Sequence, residues 1–517
     1  MQKITDFFKR LFNIEVKQEI EAKNTRDTTV NQTANIYVVP LVGLVFAVAL
    51  IVGGFFVYNE YQKSKYNYSP MASGRLNVVV VPFSNQTKGQ CGAGGDIGSL
   101  VAGAFHTALI SGEYDETSSV QPAFRSPDEM PALEGSSDAQ LTASAEKLAR
   151  EINAQIVIYG TVTCTELTQK PSAKVMFFVA PAGFSDAQEL IGEFSFSSGA
   201  LYGNLNSGEE FLSSNENLQY KINVMSLVVN SLGSYLGENY SQSLITISAA
   251  LESPLWESEG GQEVVYILAG NIEWRYARQL NLAGQEERAL QEIEQARKFY
   301  VLANTMSESG GSGKYARAFI GLAGVEHFYA TYKSRASCRL EDIDLAKFEL
   351  EKENLDHAEN ALNRPVTADI PEKIAFDKAQ IDLAIYAKNP NDLSLSSAEE
   401  NYKIVILSYT NFENPNLRIQ EMAAHSYAGL AFVNWYRDNV IAADTNFNLA
   451  IKTTQMPSVQ AGYLKSAGNF YAYRGDYEKA LIYYREALSI MEEFKIQPAN
   501  CEPDLREVIA ETEKKLP

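Results

Sequence analysis

The feature that most constrains this chain is a helical pattern with small residues at fixed positions near its C-terminal end. Tyr463 to Ile490 reads YLKSAGNFYAYRGDYEKALIYYREALSI, with a small pair at Ala467-Gly468, a turn at Gly475-Asp476 and another small residue at Ala480. Small residues at this spacing let two helices approach closely, so the segment predicts a helical hairpin. One hairpin cannot bury its apolar face alone, and stacking on similar neighbours is therefore expected.

The same pattern returns 37 residues before this unit. Leu430-Ala431, Asp438-Asn439, Ala443 and Phe447 occupy the matching positions. Both units resemble the tetratricopeptide repeat, and more degenerate units bring the number to about five over residues 262–494. The resemblance implies an all-α, right-handed solenoid whose concave groove binds protein or peptide partners, with a polar capping helix over residues 495–517.

Three side chains of the last unit are candidate groove residues. Lys465, Asn469 and Tyr473 follow one another at four-residue intervals and therefore share one face of a helix. In the tetratricopeptide resemblance this face lines the groove. A Lys and an Asn one turn apart also resemble half of the carboxylate clamp with which some of those proteins hold a partner's C-terminus. No later repeat supplies the other half, so we favour an ordinary polar groove.

A different pattern precedes the repeats. Leu76 to Phe83 reads LNVVVVPF, a continuous apolar run typical of a strand buried on both faces, and helices alternate with further apolar runs up to about residue 200. The opening VVVVPFSN and the segment Ala154 to Val162 resemble the N-terminal domain of the TolB family and the related CsgG-like domains. The resemblance implies a small, non-enzymatic α/β (α+β) domain over residues 76–200 for recognition or assembly. A helical connector is expected over residues 201–261.

The four cysteines of the chain are too few for a disulfide scaffold and have no CxxC spacing. Cys91 and Cys164 both follow strands of the predicted parallel sheet, so their Cα atoms could reach the roughly 5.5 Å separation of a disulfide. The sequence therefore gives one candidate disulfide, between Cys91 and Cys164. Cys338 and Cys501 are expected to stay apart.

An uncharged run of 23 residues, Ile36 to Tyr58, reads IYVVPLVGLVFAVALIVGGFFVY. At 1.5 Å per residue a helix of this length covers a bilayer core of roughly 30 Å. The sequence thus predicts a single transmembrane helix over residues 36–58, between an amphipathic leader (residues 1–35) and a linker (residues 59–75). The six basic residues of the leader favour a cytoplasmic N-terminus and an extracytoplasmic bulk of the chain at the cell membrane.

Charge and motif content limit the function further. A net charge of -20 opposes binding to nucleic acid, whose phosphates require a basic footprint. The four histidines stand in separate stretches without ligand spacing, and the chain carries no GxSxG, P-loop or kinase motif. We therefore expect neither catalysis nor a metal or other cofactor.

The complete expectation is a transmembrane helix, then a small TolB-N-like α/β domain, then a tetratricopeptide solenoid. The first functional hypothesis is a membrane-tethered scaffold that binds protein or peptide partners through the groove. The second is a single-pass signalling receptor, whose outer α/β domain senses a ligand and signals through residues 1–35. The sequence leaves assembly into a homo-oligomer open.

Overall fold

The structure is a computed structural model, and its described residues are 73% helical with one small sheet. These residues are 68–86, 96–112, 120–164, 171–180, 190–200, 216–252, 261–309, 315–337, 339–362, 370–411, 415, 417–496 and 503–516.

One mixed sheet lies in the N-terminal part of the described chain. Its strands are β1 (Leu76–Val80), β2 (Ser84–Asn85), β3 (Pro122–Arg125), β4 (Ile156–Cys164), β5 (Pro171–Val179) and β6 (Gly192–Ala200). The strand order is β3-β1-β4-β5-β6, and β2 pairs beside β4. β1 runs parallel to β3 and β4, whereas β5 runs antiparallel to both of its neighbours, β4 and β6.

Helices cover both faces of this sheet, which explains the unbroken apolar run of β1. The helices are α1 (Ile97–Ile110), α2 (Asp138–Ile152) and α3 (Glu216–Leu236). Val78 and Val80 belong to the apolar core that contains α1 and α3, whereas Val79 and Val81 belong to the core that contains α2. Successive strand residues point to opposite faces, so a strand covered on both sides needs an apolar residue at every position.

The rest of the described chain is built from helices that pack in consecutive pairs. α4 (Tyr240–Leu251) packs between α3 and the first pair, and α15 (Leu505–Glu513) packs on the last helix. The pairs are α5 (Gln262–Leu282) with α6 (Glu286–Ser309), α7 (Ala316–Ser337) with α8 (Leu345–Asn360), α9 (Ile370–Lys388) with α10 (Asp392–Asn411), α11 (Leu417–Tyr436) with α12 (Val440–Thr453), and α13 (Pro457–Tyr473) with α14 (Tyr477–Glu493). Each pair also contacts the next one along the chain.

In the short turns inside the last two pairs, a residue with left-handed backbone conformation is followed at once by the N-cap residue of the second helix. Asp438 has φ 55° and precedes Asn439, whose side chain accepts a hydrogen bond from the first turn of α12. Gly475 has φ 79° and precedes Asp476, which caps α14 in the same way. The left-handed residue ends one helix and the Asx side chain starts the next, so the two helices must fold back against each other.

Tyrosine rings of the second helices pack directly on glycines of the first helices. The ring of Tyr484 in α14 lies on Gly468 of α13, where an added Cβ would stand 2.5 Å from the ring. Tyr402 of α10 lies on Gly429 of α11 in the same manner. Because a glycine presents no side chain, each ring can fill the space between two helix axes.

The sheet and the first helix pairs share one apolar core. Buried residues of β1, β4 and β5 belong to the same cluster as buried residues of α5, α6 and α7. Arg317 of α7 donates a hydrogen bond of 3.2 Å to the carbonyl oxygen of Glu193 in β6, and its guanidinium lies 4.1 Å from the ring centroid of Phe194. The connector predicted over residues 201–261 therefore includes α3 and α4, which belong to this core as well.

The predicted fold class is wrong in its first element. Among the described residues, no helix is both long enough and apolar enough to cross a bilayer. The run 36–58, the leader 1–35 and the part of the linker up to residue 67 lie outside the described residues. The tetratricopeptide and TolB-like resemblances stay predictions.

A buried carboxyl group and a half-buried one meet between the two helices of the first pair. Glu273 of α5 is 8% exposed, and it shares a hydrogen bond with Glu292 of α6. Burial first, and the charge of Glu292 second, raise the pKa of Glu273 to about 8. Its Oε2 atom has no hydrogen-bond partner among the described residues. The protonated form of Glu273 is therefore favoured in the folded chain.

Replacing Gly468 by Ala should destabilise the fold by about 1–3 kcal/mol, because the new methyl group overlaps the buried ring of Tyr484. Gly462→Ala in the same helix is the matched control, since nothing lies within 4 Å of its added Cβ. The control should gain roughly 0.5–1 kcal/mol from the higher helix propensity of Ala. Urea unfolding of both variants measures the difference, and equal stabilities would show that the close approach at Gly468 is unimportant.

The contribution of Glu273 to stability should fall as pH rises from about 4.5 to about 8, the interval between its ordinary and its folded pKa. In this interval the folded chain holds a proton that the unfolded chain has released, so raising the pH favours unfolding. Glu273→Gln removes this dependence and should be more stable than wild type by about 1–3 kcal/mol at pH 8. Urea unfolding at pH 5 and pH 8 measures it, with Glu287→Gln at the exposed surface of α6 as control. A stability difference that is the same at both pH values would contradict the assignment.

Candidate functional site

A cleft of about 260 Å³ opens between the first helices of three consecutive pairs, α5, α7 and α9. α6 and α8 contribute one residue each to its wall. The lining combines aromatic, basic and acidic side chains with two glycines, and consists of Asn271, Trp274, Arg278, Tyr300, Ile320, Gly321, Gly324, His327, Arg335, Glu351, Lys373, Phe376, Asp377 and Gln380.

One tyrosine ring sets the spacing of the helices at the base of this cleft. Tyr300 of α6 is 1% exposed and lies between Gly270 of α5 and Gly321 of α7. A Cβ atom at either glycine would overlap the ring. Both helices therefore contact the same ring, and the backbone of α7 stays close enough to receive the Trp274 side chain. The indole Nε1 of Trp274 donates a hydrogen bond of 2.9 Å to the carbonyl oxygen of Gly324.

The acidic side chains of the cleft are already paired within the chain. Nδ1 of His327 lies 3.1 Å from Oε2 and 3.2 Å from Oε1 of Glu351, a carboxylate only 4% exposed. Burial raises the pKa of Glu351, and the neighbouring His327 lowers it in part. Asp377 forms an ion pair with Lys373 one turn away on α9. Neither carboxylate depends on a ligand for its charge partner.

Guanidinium groups gather at the α5 side of the cleft around one indole ring. The Cζ atoms of Arg275 and Arg278 lie 5.8 and 5.9 Å from the ring centroid of Trp274. Burial, with the charge of Arg278 as second cause, lowers the pKa of Arg275 to about 10. Arg335 of α7 is exposed at its surface, yet desolvation and the charge of Arg278 lower its pKa too. Arg278 is thus near both other arginines.

The groove residues predicted from the sequence lie on α13 and do not line this cleft. Lys465 is half-buried, and Asn469 is exposed but accepts a hydrogen bond of 2.7 Å from the hydroxyl of Tyr484. Tyr473 is 79% exposed, and its ring centroid lies 5.9 Å from that of Trp435 on α11. Asn469 thus holds the hydroxyl of the ring that rests on Gly468, and the assignment of Lys465, Asn469 and Tyr473 to a binding groove stays a prediction.

The candidate disulfide lies outside what the structure describes. Cys91 is not among the described residues, and Cys164 is described only as the last backbone position of β4. Cys338 and Cys501 are likewise outside. Among the described residues, no group of three or more His, Cys, Asp or Glu side chains is placed to hold a metal ion.

Sequence reasoning missed the residues that form the cleft, although one local signal was present. The segment WRYAR places Arg278 four positions after Trp274, a spacing that brings a cation near an indole on a helix. Arg335 and Glu351 lie more than 50 residues away from Trp274 in the sequence. Only the packing of consecutive helix pairs brings them to the same cleft.

Comparisons with known proteins do not identify a family. No family model matches the chain, and no curated protein matches it. Among solved structures, the crystal structure of BtubC (BKLC) from P. vanneervenii is similar over 47% of this chain and 84% of that chain. The sequence identity is 13% and the TM-score is 0.32, so the likeness carries no argument about fold or function.

His327→Ala should destabilise the chain by roughly 1–3 kcal/mol, because it leaves the buried carboxylate of Glu351 without its hydrogen-bond donor. His357→Ala is the matched control, because His357 also contacts an aromatic ring, that of Phe319, but faces the exposed Glu353 at 3.8 Å instead of a buried carboxylate. Exposed pairs contribute little, so the control should lose less stability than His327→Ala. Urea unfolding at pH 7 compares the two, and equal losses would contradict a specific role for the buried pair.

Proposed function

We propose that the chain is a non-enzymatic adaptor that holds a segment of a partner protein in the cleft between α5, α7 and α9. The observation that carries this proposal is the position of the cleft across three consecutive helix pairs. A polypeptide segment laid over it can contact each of these helices in turn. Stacked helix pairs are known to present extended binding surfaces of this kind.

The composition of the lining supports a protein partner. Aromatic and arginine side chains are the residue types that contribute most to binding at protein interfaces. The indole N–H of Trp274 already donates a hydrogen bond to Gly324. A partner would therefore contact the ring of Trp274 and not its N–H group. Gln380 of α9 is exposed at the opposite side of the cleft. A segment across the cleft would therefore meet an aromatic anchor near α5 and a polar side chain near α9.

A photo-crosslinking amino acid placed at Gln380 in the full chain should capture one defined region of a partner protein in the cells that express the chain. The same amino acid at Lys298, an exposed position of α6 outside the cleft, is the control and should capture no such region. Mass spectrometry of the adducts identifies the region. Adducts that are the same at both positions, or none at Gln380, would contradict binding in the cleft.

A synthetic peptide of the captured region should then bind the purified full chain. Trp274→Leu keeps an apolar side chain but removes the ring, and we expect it to weaken this binding by more than roughly tenfold. The melting temperature of the variant separates lost recognition from lost folding. A folded Trp274→Leu chain that binds the peptide as tightly as wild type would exclude Trp274 as the anchor.

A further inference from the structure

The cleft contains a basic side chain that the described chain does not neutralise. Arg278 makes no ion pair with any carboxylate among the residues that the structure describes, and its Cζ atom lies 5.9 Å from the ring centroid of Trp274. By contrast, Lys373 is paired with Asp377.

Two further guanidinium groups place positive charge near Arg278. The positive charge of Arg278 lowers the pKa of both Arg275 and Arg335. Like charges at close range repel, and an anion between them would relieve the repulsion and gain charge-assisted hydrogen bonds. A guanidinium also matches the planar geometry of a carboxylate with two parallel donors.

The remaining charges of the cleft favour a singly charged anion. Glu351 and Asp377 line the same cleft as Arg278. Any negative charge that remains beyond their pairs with His327 and Lys373 would repel a doubly charged phosphate more strongly than a singly charged carboxylate. The negative charge of the whole chain also favours the singly charged anion, because it repels highly negative groups more strongly.

We propose that Arg278 and Arg335 bind the carboxylate of an Asp or Glu side chain within the partner segment, while the ring of Trp274 packs against a neighbouring apolar residue of that segment. This inference rests on the proposed function, because it specifies the chemistry of the segment held in the cleft. The site is defined by Trp274, Arg278 and Arg335.

A phage-displayed library of random dodecapeptides tests the inference with the purified full chain. Wild-type chain should enrich peptides that share one Asp or Glu position next to an apolar residue. The Arg278→Glu chain should lose that preference or exchange it for Lys or Arg, because the charge at the contact is reversed. Arg288→Glu, at an exposed position of α6 outside the cleft, is the matched control and should enrich the same peptides as wild type.

The enriched peptide is then synthesised with an amidated C-terminus and measured by fluorescence anisotropy. Replacing its acidic residue by Asn or Gln should weaken binding roughly 10- to 100-fold, the effect of losing a charge-assisted hydrogen bond. The Arg278→Glu chain, shown to be folded by its melting curve, should lose binding to the acidic peptide to a similar extent. Stronger binding of a phosphoserine version than of the carboxylate version would overturn the choice of anion.

The failure of this inference can be told apart from the failure of the proposed function. Enrichment of a shared peptide sequence without an acidic position, or the same enrichment by wild-type and Arg278→Glu chains, overturns the carboxylate site and leaves peptide binding intact. No enrichment above the empty support contradicts peptide binding in the cleft, and the carboxylate site with it. Binding that disappears when the peptide's C-terminus is amidated would assign the contact to a terminal carboxylate and overturn the side-chain assignment.

Discussion

Close contact between tyrosine rings and glycine backbones is the constraint on which the helical part of this protein depends. Tyr300 meets Gly270 and Gly321, and Tyr484 meets Gly468, in each case at a distance that excludes a Cβ atom. The rings fill the space between neighbouring helices, so their size fixes how far apart the helices lie. Any side chain at these glycines would push helices apart and disturb the pairs stacked on both sides.

The cleft is a consequence of the same packing. Tyr300 fills the base between α5 and α7, and the space above it is open to the side chains of Trp274 and Arg278. Hydrogen bonding to Gly324 orients the indole, and the indole in turn lies beside two guanidinium groups. Apolar packing around Tyr300 thus fixes the position of the helices that form the cleft, whereas the charged side chains at its rim determine which groups it can bind.

The sheet packs directly against the first helix pairs through a shared apolar core. Its apolar face that contains Val78 and Val80 belongs to the core that continues into α5, α6 and α7. The buried Arg317 of α7 reaches β6 with both a hydrogen bond and a contact to the ring of Phe194. A boundary near residue 261 therefore does not separate two independent cores. Mutations that alter β6 would also remove contacts that α7 makes through Arg317.

The sequence by itself determined where elements form, because strand burial and helix pairing leave local patterns. The run at Leu76–Val80 is a fully buried strand, and the turns at Asp438-Asn439 and Gly475-Asp476 begin the second helices of their pairs. The spacing that placed Asn469 in a groove could not show its bond to Tyr484, which comes from the other helix of the pair. Likewise, only the tertiary structure decided that Trp274, Arg278 and Arg335 share a cleft. Local sequence patterns report the environment of one helix face, whereas a site between helices depends on side chains more than 50 residues apart, which packing alone brings together.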